Sequence, residues 1–223
     1  CLNAGLDVIC DKPLTTNLAD AEKLVKLAAE KKRLLGVTFN YTGYPMIRYA
    51  KQLIADGLIG KLRVVQAEYP QGWLSTLLEK TGQKQASWRT DPKQAGAGAL
   101  GDIGSHSFQL AEFVTGEKVS EVAADVSTLV PGRPIDDNVN VLLRFANGAR
   151  GSLWASQVAI GHLNSHRLRV YGEKGSILWF QERPEELVIV EAGEQPRYVR
   201  RGDPGTPTSS VGLPGGHPEG FIE

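Results

Sequence analysis

The sequence predicts an α/β segment that ends a parallel sheet, followed by a domain with a large, mainly antiparallel open sheet covered by helices on one face. Up to about Asp56, short strand patterns alternate with helical ones, as in parallel βα units. A Gly-rich turn then feeds a helix that ends near Gly116. From Val119 onward, strand patterns separated by turn residues dominate, which is typical of antiparallel hairpins.

The first part of the chain contains two predicted strand–helix pairs. LDVIC is a short apolar run typical of a buried strand, and LLGVTFN is a second short strand. Asn17 is the predicted N-cap of the helix between them, and Gly57 closes a second helix, PMIRYAKQLIADG. Apolar residues of the first helix recur at helical spacing, which places on one face Leu18, Ala21, Leu24, Val25 and Ala28.

The chain after Lys61 is predicted to supply the large sheet. KLRVVQAEY alternates as a half-buried strand does, and a long polar region follows from Gln71 to Ala97. Trp154 and Trp179 fall in strand patterns and are predicted core residues. The stretch GDPGTPTSSVGLPGGHPEG is a predicted loop. The later strand patterns are VSEVAADVSTLV, NVNVLLRF, GARGSLWASQ, HRLRVYGEKGSILWF, ELVIVE and RYVRR.

Composition limits the classes of partner. Lys+Arg and Asp+Glu are equal at 25 each, which argues against nucleic acid or an anionic membrane as a main partner. No apolar run is long enough to span a bilayer, and the first residues lack the pattern of a signal peptide. Cys1 and Cys10 have no second pair and no nearby histidine cluster, so we expect buried free thiols. These features predict a soluble, cytoplasmic protein that binds a small ligand.

The first group of residues that could carry chemistry is Asp11-Lys12-Pro13, directly after the strand LDVIC. Open α/β sheets bind their ligands at the carboxyl ends of parallel strands, where Lys12 is expected to lie. The same three residues also fit a plain polar turn in which Pro13 ends the strand.

The second group lies in GALGDIGSH. If a helix begins near Gly101, Asp102 and His106 share one face near its N-terminus, an arrangement suited to proton transfer from an alcohol. A capping aspartate and a surface histidine would give the same pattern. A metal site is not expected, because no third ligand is evident. The remaining histidines, His162, His166 and His217, are predicted to be surface or loop residues.

Together these motifs resemble the Gfo/Idh/MocA family of oxidoreductases. DKP after a strand, WRTDPKQAGAGALGDIGSH further along and an antiparallel tail occur in the family's order, across essentially the whole chain. The family pattern at the first motif is Glu-Lys-Pro, from which Asp11 is a conservative departure. The second match is longer and more specific, and it includes Trp88, Arg89, Asp102 and His106.

The resemblance implies hydride transfer between NAD or NADP and a secondary alcohol carbon of a sugar, anhydrosugar or inositol. It makes His106 the general base, Asp102 a partner of the substrate hydroxyl or of the imidazole, and Lys12 the stabiliser of the developing alkoxide. The residues it places at the cofactor are Lys12, Pro13, Trp88 and Arg89. The residues expected at the substrate are Lys12, Asn40, Tyr41, Arg89, Asp102, His106 and His166.

The resemblance also implies an organisation. Residues 1–40 would end a Rossmann domain, and residues 41–223 would form a substrate-binding and oligomerisation domain that is incomplete at its C-terminus. The Gly-x-Gly-x-x-Gly turn that binds the dinucleotide in this family is missing from the sequence, so we expect the chain to be a fragment. We do not expect this fragment by itself to bind NAD or to catalyse the reaction. The choice between NAD and NADP, and the particular sugar, are not fixed by these residues.

Partners and rival functions follow from the same family. A homodimer or homotetramer through the open sheet is implied. Some relatives bind dinucleotide and regulate transcription without turnover, and others use NAD to assist glycoside hydrolysis. The presence of Lys12, Asp102 and His106 favours the dehydrogenase.

Overall fold

The computed structural model describes residues 1–206. Its first segment folds as β1 (Val8–Asp11), α1 (Leu18–Lys31) and β2 (Leu35–Thr38), and the two strands pair in parallel as predicted. The side chain of Asn17 accepts a hydrogen bond from the backbone N–H of Asp20 at 2.9 Å. This bond satisfies one of the free donors in the first turn of α1, so the predicted N-cap is confirmed.

The first segment is less buried than its sequence predicted. The Ile9 side chain is 81% exposed, because β1 pairs only with β2 within the described chain and one face of the strand has no cover. On α1, Leu18 and Val25 are also largely exposed. The prediction of two buried thiols is wrong for the same reason: Cys1 is exposed, and Cys10 is only partly buried.

Four further helices follow. Pro45 and Pro92 each occupy the first turn of a helix, where a missing backbone N–H costs nothing. Within the described residues, no helix is both long and apolar enough to cross a membrane. The helices are α2 (Pro45–Ala55), α3 (Lys84–Arg89), α4 (Pro92–Ala95) and α5 (Ser105–Thr115).

The remaining strands form one eight-stranded sheet. In order across the sheet they are β10, β9, β8, β7, β3, β6, β5 and β4. Every neighbouring pair is antiparallel except β3 and β6, which run parallel through the centre. The strands are β3 (Leu62–Pro70), β4 (Val119–Ser127), β5 (Asn138–Phe145), β6 (Arg150–Ser156), β7 (Arg167–Gly172), β8 (Gly175–Phe180), β9 (Glu186–Glu191) and β10 (Arg197–Arg200).

Helices α2 and α5 cover one face of this sheet, and the core lies between them. Trp179 is 1% exposed in that core, as predicted. The prediction for Trp154 is wrong. It alternates with the buried residues Leu153 and Ala155, so it lies on the opposite, open face and is only partly buried. The fold is the predicted one: the end of a Rossmann-type parallel sheet, then a large, mainly antiparallel sheet with helices on one face.

Candidate active site

The Gly-rich turn that leads into α5 is built around Asp136, which lies just before β5. The Asp136 carboxylate accepts from the backbone N–H groups of Gly98 and Leu100, both at 2.7 Å. The Gly98 backbone lies so close to Asp136 that an added Cβ would be 1.8 Å from the Asp136 carbonyl oxygen. A side chain at this position would therefore displace the turn, which explains why the sequence has glycine here.

The helix does not begin as a regular α-helix at Gly101. Leu100–Gly104 forms a π-helical turn, and α5 continues from Ser105. Asp102 lies in the wider turn and His106 lies in the first turn of α5. Such π-turns are frequent at functional sites.

Lys12 reaches this turn from the end of β1. The Asp11 carboxylate accepts from the Thr38 hydroxyl of β2 at 2.9 Å and from the Lys12 backbone N–H at 2.9 Å, which fixes the backbone beside the lysine. The Lys12–Pro13 peptide bond is cis. Lys12 Nζ donates to the Asp102 carbonyl oxygen and forms an ion pair with Asp102 Oδ1 at 3.2 Å. The two sequence motifs therefore meet, although 90 residues separate them.

The Asp102 carboxylate is held by three partners within the described chain. Lys12 Nζ contacts Oδ1, whereas Arg89 Nε at 3.3 Å and Gln157 Nε2 at 2.9 Å contact Oδ2. The side chains of Lys12 and Asp102 are only 16% and 21% exposed, so little solvent screens their attraction. In residues 1–206 no three metal-binding side chains come together.

His106 lies in an aromatic enclosure. Its ring centroid is 5.0 Å from that of Tyr41 and 5.8 Å from that of Phe39, both edge-on, and Nδ1 is buried without a partner in the described structure. Burial, and then the positive charge of Lys12, lower the pKa of His106 to about 4, although Asp102 and Asp11 act in the opposite direction. The imidazole is therefore neutral at pH 7 and available as a proton acceptor.

These groups border an open cleft of about 530 Å³, within the usual size range of small-molecule sites. Of the residues expected at the substrate, Lys12, Arg89, Asp102 and His106 line it. Asn40 is exposed and Tyr41 is buried, and neither is among the lining residues. The cleft is lined by Lys12, Tyr69, Gln71, Trp73, Gln83, Gln85, Arg89, Asp102, Ile103 and His106.

A smaller cleft of about 180 Å³ adjoins the first, and Lys12, Arg89 and Asp102 border both. It brings together all four residues expected at the cofactor, since Pro13 and Trp88 complete its wall. The Arg89 guanidinium lies 4.2 Å from the centre of the Trp88 ring, a cation–π contact that orients both side chains.

His166 departs from the sequence prediction. It is fully buried rather than a surface histidine, and it stacks on Tyr69 with ring centroids 4.6 Å apart. Both of its ring nitrogens lack partners within the described residues. Burial, and secondarily His106, lower the pKa of His166 well below its usual value. Tyr69 lines the cleft, whereas His166, which stacks on it, is not among the lining residues. His217 lies outside the described residues.

Sequence reasoning missed a hydrogen-bonded network that runs through the wall of the cleft. The Tyr41 and Tyr69 hydroxyls are hydrogen-bonded, and Tyr69 donates to Asn164 Oδ1 at 2.6 Å. Asn164 Oδ1 also accepts from Gln71 Nε2 at 2.7 Å, and Gln71 Oε1 accepts from Trp73 Nε1 at 3.0 Å. Burial, and then Tyr41, raise the pKa of Tyr69, so the hydroxyl stays protonated. This network fixes the orientation of the Gln71 amide in the cleft wall.

The polar segment from Gln71 to Ala97 is tied to the sheet by Arg133. The guanidinium is fully buried and pairs with Glu79 and with Asp137, both at 3.0 Å. It also donates to the Thr76 carbonyl oxygen at 2.7 Å. Breaking a buried ion pair costs several kcal/mol, so these contacts hold the segment that supplies Gln83, Gln85 and Arg89 to the cleft.

The two buried histidines should make the fold sensitive to acid. The unfolded chain protonates His106 near pH 6.5, whereas the folded chain does so only at about pH 4. The contribution of the neutral His106 to the free energy of unfolding is therefore fully present above pH 6.5 and is lost as the pH falls to about 4. For His106 alone this loss is about 3 kcal/mol. The pKa of His166 is also lowered, so His166→Phe should lose less stability across this range.

Urea denaturation at a series of pH values measures this effect. His162→Phe, at a partly exposed position, is the matched control and should keep the wild-type acid dependence. An equally steep loss of stability in His166→Phe and in the wild type would contradict the prediction.

Comparison with known proteins shows which family the chain resembles. Residues 47–178 match the GFO/IDH/MocA C-terminal domain, and residues 1–39 match an oxidoreductase family described as an NAD-binding Rossmann fold. The chain is 34% identical over 206 residues to the uncharacterized oxidoreductase YfiI of Bacillus subtilis, covering 91% of this chain and 52% of that protein. It is 33% identical over 215 residues to levoglucosan dehydrogenase of Pseudarthrobacter phenanthrenivorans, covering 86% and 54%.

A solved structure is also similar. An inositol dehydrogenase homolog from Azotobacter vinelandii, complexed with NAD+, superimposes with a TM-score of 0.92 at 34% identity, covering 99% of this chain and 58% of that one. The chain thus spans about half the length of the curated relatives it matches. Because one family model covers more than half of the chain and these relatives exceed 30% identity, the protein belongs to the GFO/IDH/MocA oxidoreductase family.

Proposed function

We propose that the protein is an NAD(P)-dependent dehydrogenase that oxidises a secondary alcohol carbon of a neutral sugar, anhydrosugar or inositol. The observation that carries the proposal is the meeting of Lys12, Asp102 and a neutral His106 at one cleft. In such a site a neutral base can accept the hydroxyl proton of an alcohol, and a cation can stabilise the alkoxide charge that develops as hydride leaves for the cofactor.

Each residue has a separate role in this proposal. His106 accepts the hydroxyl proton, and because Nδ1 is buried, Nε2 is the nitrogen that can face the cleft. Lys12 stabilises the negative charge that develops on the substrate oxygen as the O–H bond breaks. Asp102 accepts a hydrogen bond from a substrate hydroxyl and holds Lys12 in place. In reduction the same groups return the proton.

The smaller cleft fits the nicotinamide end of a dinucleotide. It adjoins the carboxyl end of β1, the kind of position where α/β sheets bind nucleotides, and Trp88, which is 37% exposed, offers an aromatic surface. Lys12, Pro13, Trp88 and Arg89 would hold that end of the cofactor. When bound, NAD or NADP supplies the hydride acceptor for the reaction. The shared border of the two clefts lets Lys12 act on both ligands.

The substrate wall favours an uncharged, polyhydroxylated ligand. Opposing charges at Lys12, Arg89 and Asp102 already pair with one another, and the cleft wall that Gln71, Gln83 and Gln85 supply is made of neutral amides. Amides donate to and accept from hydroxyl groups without requiring a charged substrate. Similarity to a levoglucosan dehydrogenase and to an inositol dehydrogenase homolog supports the same substrate class.

We also propose the division into a cofactor segment, residues 1–40, and a substrate and oligomerisation segment from residue 41. The open face of the sheet would join two or four copies of the chain, because the apolar side chain of Leu142 on this face is 68% exposed. Exposed apolar patches of this kind mark interfaces. Two shallow cavities along β4, β5 and β6 would receive side chains of a second copy.

Leu142→Lys should therefore shift the full-length protein toward the monomer, because a buried lysine charge opposes the interface. Light scattering after size exclusion measures the mass. Leu6→Lys, at an exposed apolar residue away from the sheet, should leave the assembly unchanged. A wild-type protein that is monomeric at micromolar concentration would rule out this interface.

The function itself is tested by an NAD(P)H absorbance screen of the full-length protein with inositols, aldoses and anhydrosugars. Turnover with one of these substrates is the expected result. Tight binding of the dinucleotide without turnover on any of them would instead support a dinucleotide-binding regulator. Release of a free sugar from a glycoside would support the NAD-assisted hydrolase.

A further inference from the structure

Gln157 contacts the carboxylate of Asp102, and the roles given above do not explain it. It is the residue directly after β6, its side chain is 2% exposed overall, and it is not among the residues that line the cleft. Its amide Nε2 donates to Asp102 Oδ2 at 2.9 Å. A buried amide aimed at a carboxylate of the reacting cleft can influence the chemistry only through that carboxylate.

The backbone of Gln157 is fixed independently of its side chain. Its N–H donates to the Asp137 carbonyl oxygen at 2.9 Å, and its carbonyl accepts from the Leu74 N–H at 3.0 Å. Asp137 is itself fully buried and is bound by Arg133. The amide therefore projects from a rigid base at the centre of the sheet, which suits a group that orients another side chain.

The other partners of Asp102 belong to the ligand-binding surfaces. Lys12 and Arg89 border both clefts, so their charges are directed at substrate and cofactor as well as at Asp102. Gln157 is the neutral partner: it lines neither cleft, and it holds Oδ2, which Arg89 also contacts. With Oδ2 held, Oδ1 remains directed at Lys12.

We propose that Gln157 is a positioning residue that orients the Asp102 carboxylate for the reaction. This inference rests on the proposed dehydrogenase function. The amide of Gln157 donates a hydrogen bond and does not ionise. Asp102 therefore keeps one orientation while Lys12 and Arg89 contact the ligands. The titratable or charged groups that face Asp102 are Lys12 after β1, Arg89 of α3, His106 of α5 and Tyr69 of β3.

Two substitutions test the role in the full-length protein. Gln157→Leu removes the donor and should lower kcat by about 10–100-fold, the effect of losing one hydrogen bond to a charged group, with NADH affinity little changed. Gln157→Glu places a second carboxyl group beside Asp102, and two adjacent carboxyl groups share a proton. Its activity should be near wild type at low pH and fall as that proton is lost, giving a pH limb that the wild type lacks.

The matched control is Gln94→Leu, which makes the same change at an exposed position bonded to Asp91. A kcat within about twofold of wild type for a folded Gln157→Leu would overturn the proposal. If Gln157→Leu does not fold, a Gln157→Glu profile identical to that of the wild type would overturn it. The pH dependence of Tm for Gln157→Glu detects the interaction of the new carboxyl group with Asp102 and does not require catalytic activity.

The two proposals therefore fail separately. A wild type that is inactive on every polyol would refute the proposed function, whereas the Tm profile would still test the contact between residue 157 and Asp102.

Discussion

His106→Ala should lower kcat for polyol oxidation by about 10²–10⁴-fold, which is the usual contribution of a general base. The neutral imidazole of His106 lines the cleft, and its buried Nδ1 leaves Nε2 for the substrate. Dinucleotide affinity should change little, because His106 lines the larger cleft but not the smaller one. Steady-state kinetics and NADH fluorescence titration of the full-length protein measure both quantities.

His162→Ala is the matched control, since His162 is a partly exposed histidine that does not line either cleft. A folded His106→Ala variant with normal turnover would remove the residue from the mechanism. The low pKa of His106 has a further consequence for the wild type. The acid limb of its kcat/KM profile should lie below pH 6.5, because the base stays unprotonated down to about pH 4.

Lys12→Ala should lower kcat by about 10²–10³-fold, a loss typical of removing one preorganised charge beside a developing oxyanion. The substitution also removes a positive charge that lowers the pKa of His106, so that pKa should rise. The acid limb of the rate profile should then move to higher pH than in the wild type. A rate profile measured across pH reports both effects in one experiment.

Lys23→Ala provides the comparison, because Lys23 is 76% exposed and its ion pair within residues 1–206 is with Asp20, on the surface of α1. It should match the wild type in rate and in pH dependence. If Lys12→Ala slows the reaction without moving the acid limb, the proposed electrostatic link between Lys12 and His106 is wrong.

Local patterns in the sequence predicted the strands, the helices α1, α2 and α5, and the two motifs, whereas α3 and α4 lie in the segment predicted only as a polar region. Asn17 could be recognised as the N-cap of α1 because it is a polar residue directly before an apolar run of helical period, and its side chain does accept from a backbone N–H of the first turn. Alternation in KLRVVQAEY and NVNVLLRF predicted strands whose burial does alternate along most of their length. The meeting of Lys12 with Asp102 followed from the family resemblance, since nothing in their spacing brings the two together.

What the sequence did not reveal depends on contacts between distant segments. Gln157 and Arg133 carry no local pattern, and their roles exist only once β6 and the polar segment have packed. His166 was predicted to be a surface or loop residue because HLNSHRL is a loop-to-strand segment, whereas its ring packs against Tyr69 and Trp179. Exposure of Cys10 was missed because a short apolar strand is covered only when neighbouring strands flank it.

The position of β3 in the sheet has a consequence for how the chain is synthesised. Its two neighbours, β6 and β7, follow it by some 80 residues or more, so β3 emerges from the ribosome long before either partner exists. Until β6 and β7 have been synthesised, both edges of β3 are unpaired, and an apolar strand in this state is prone to aggregate with other nascent chains. Gln71, which lines the cleft, follows β3, and Gln157, which holds Asp102, follows β6. The pairing that joins the middle of the sheet therefore also brings these two residues into place. Refolding that restores sheet circular dichroism before ligand binding would argue against this coupling.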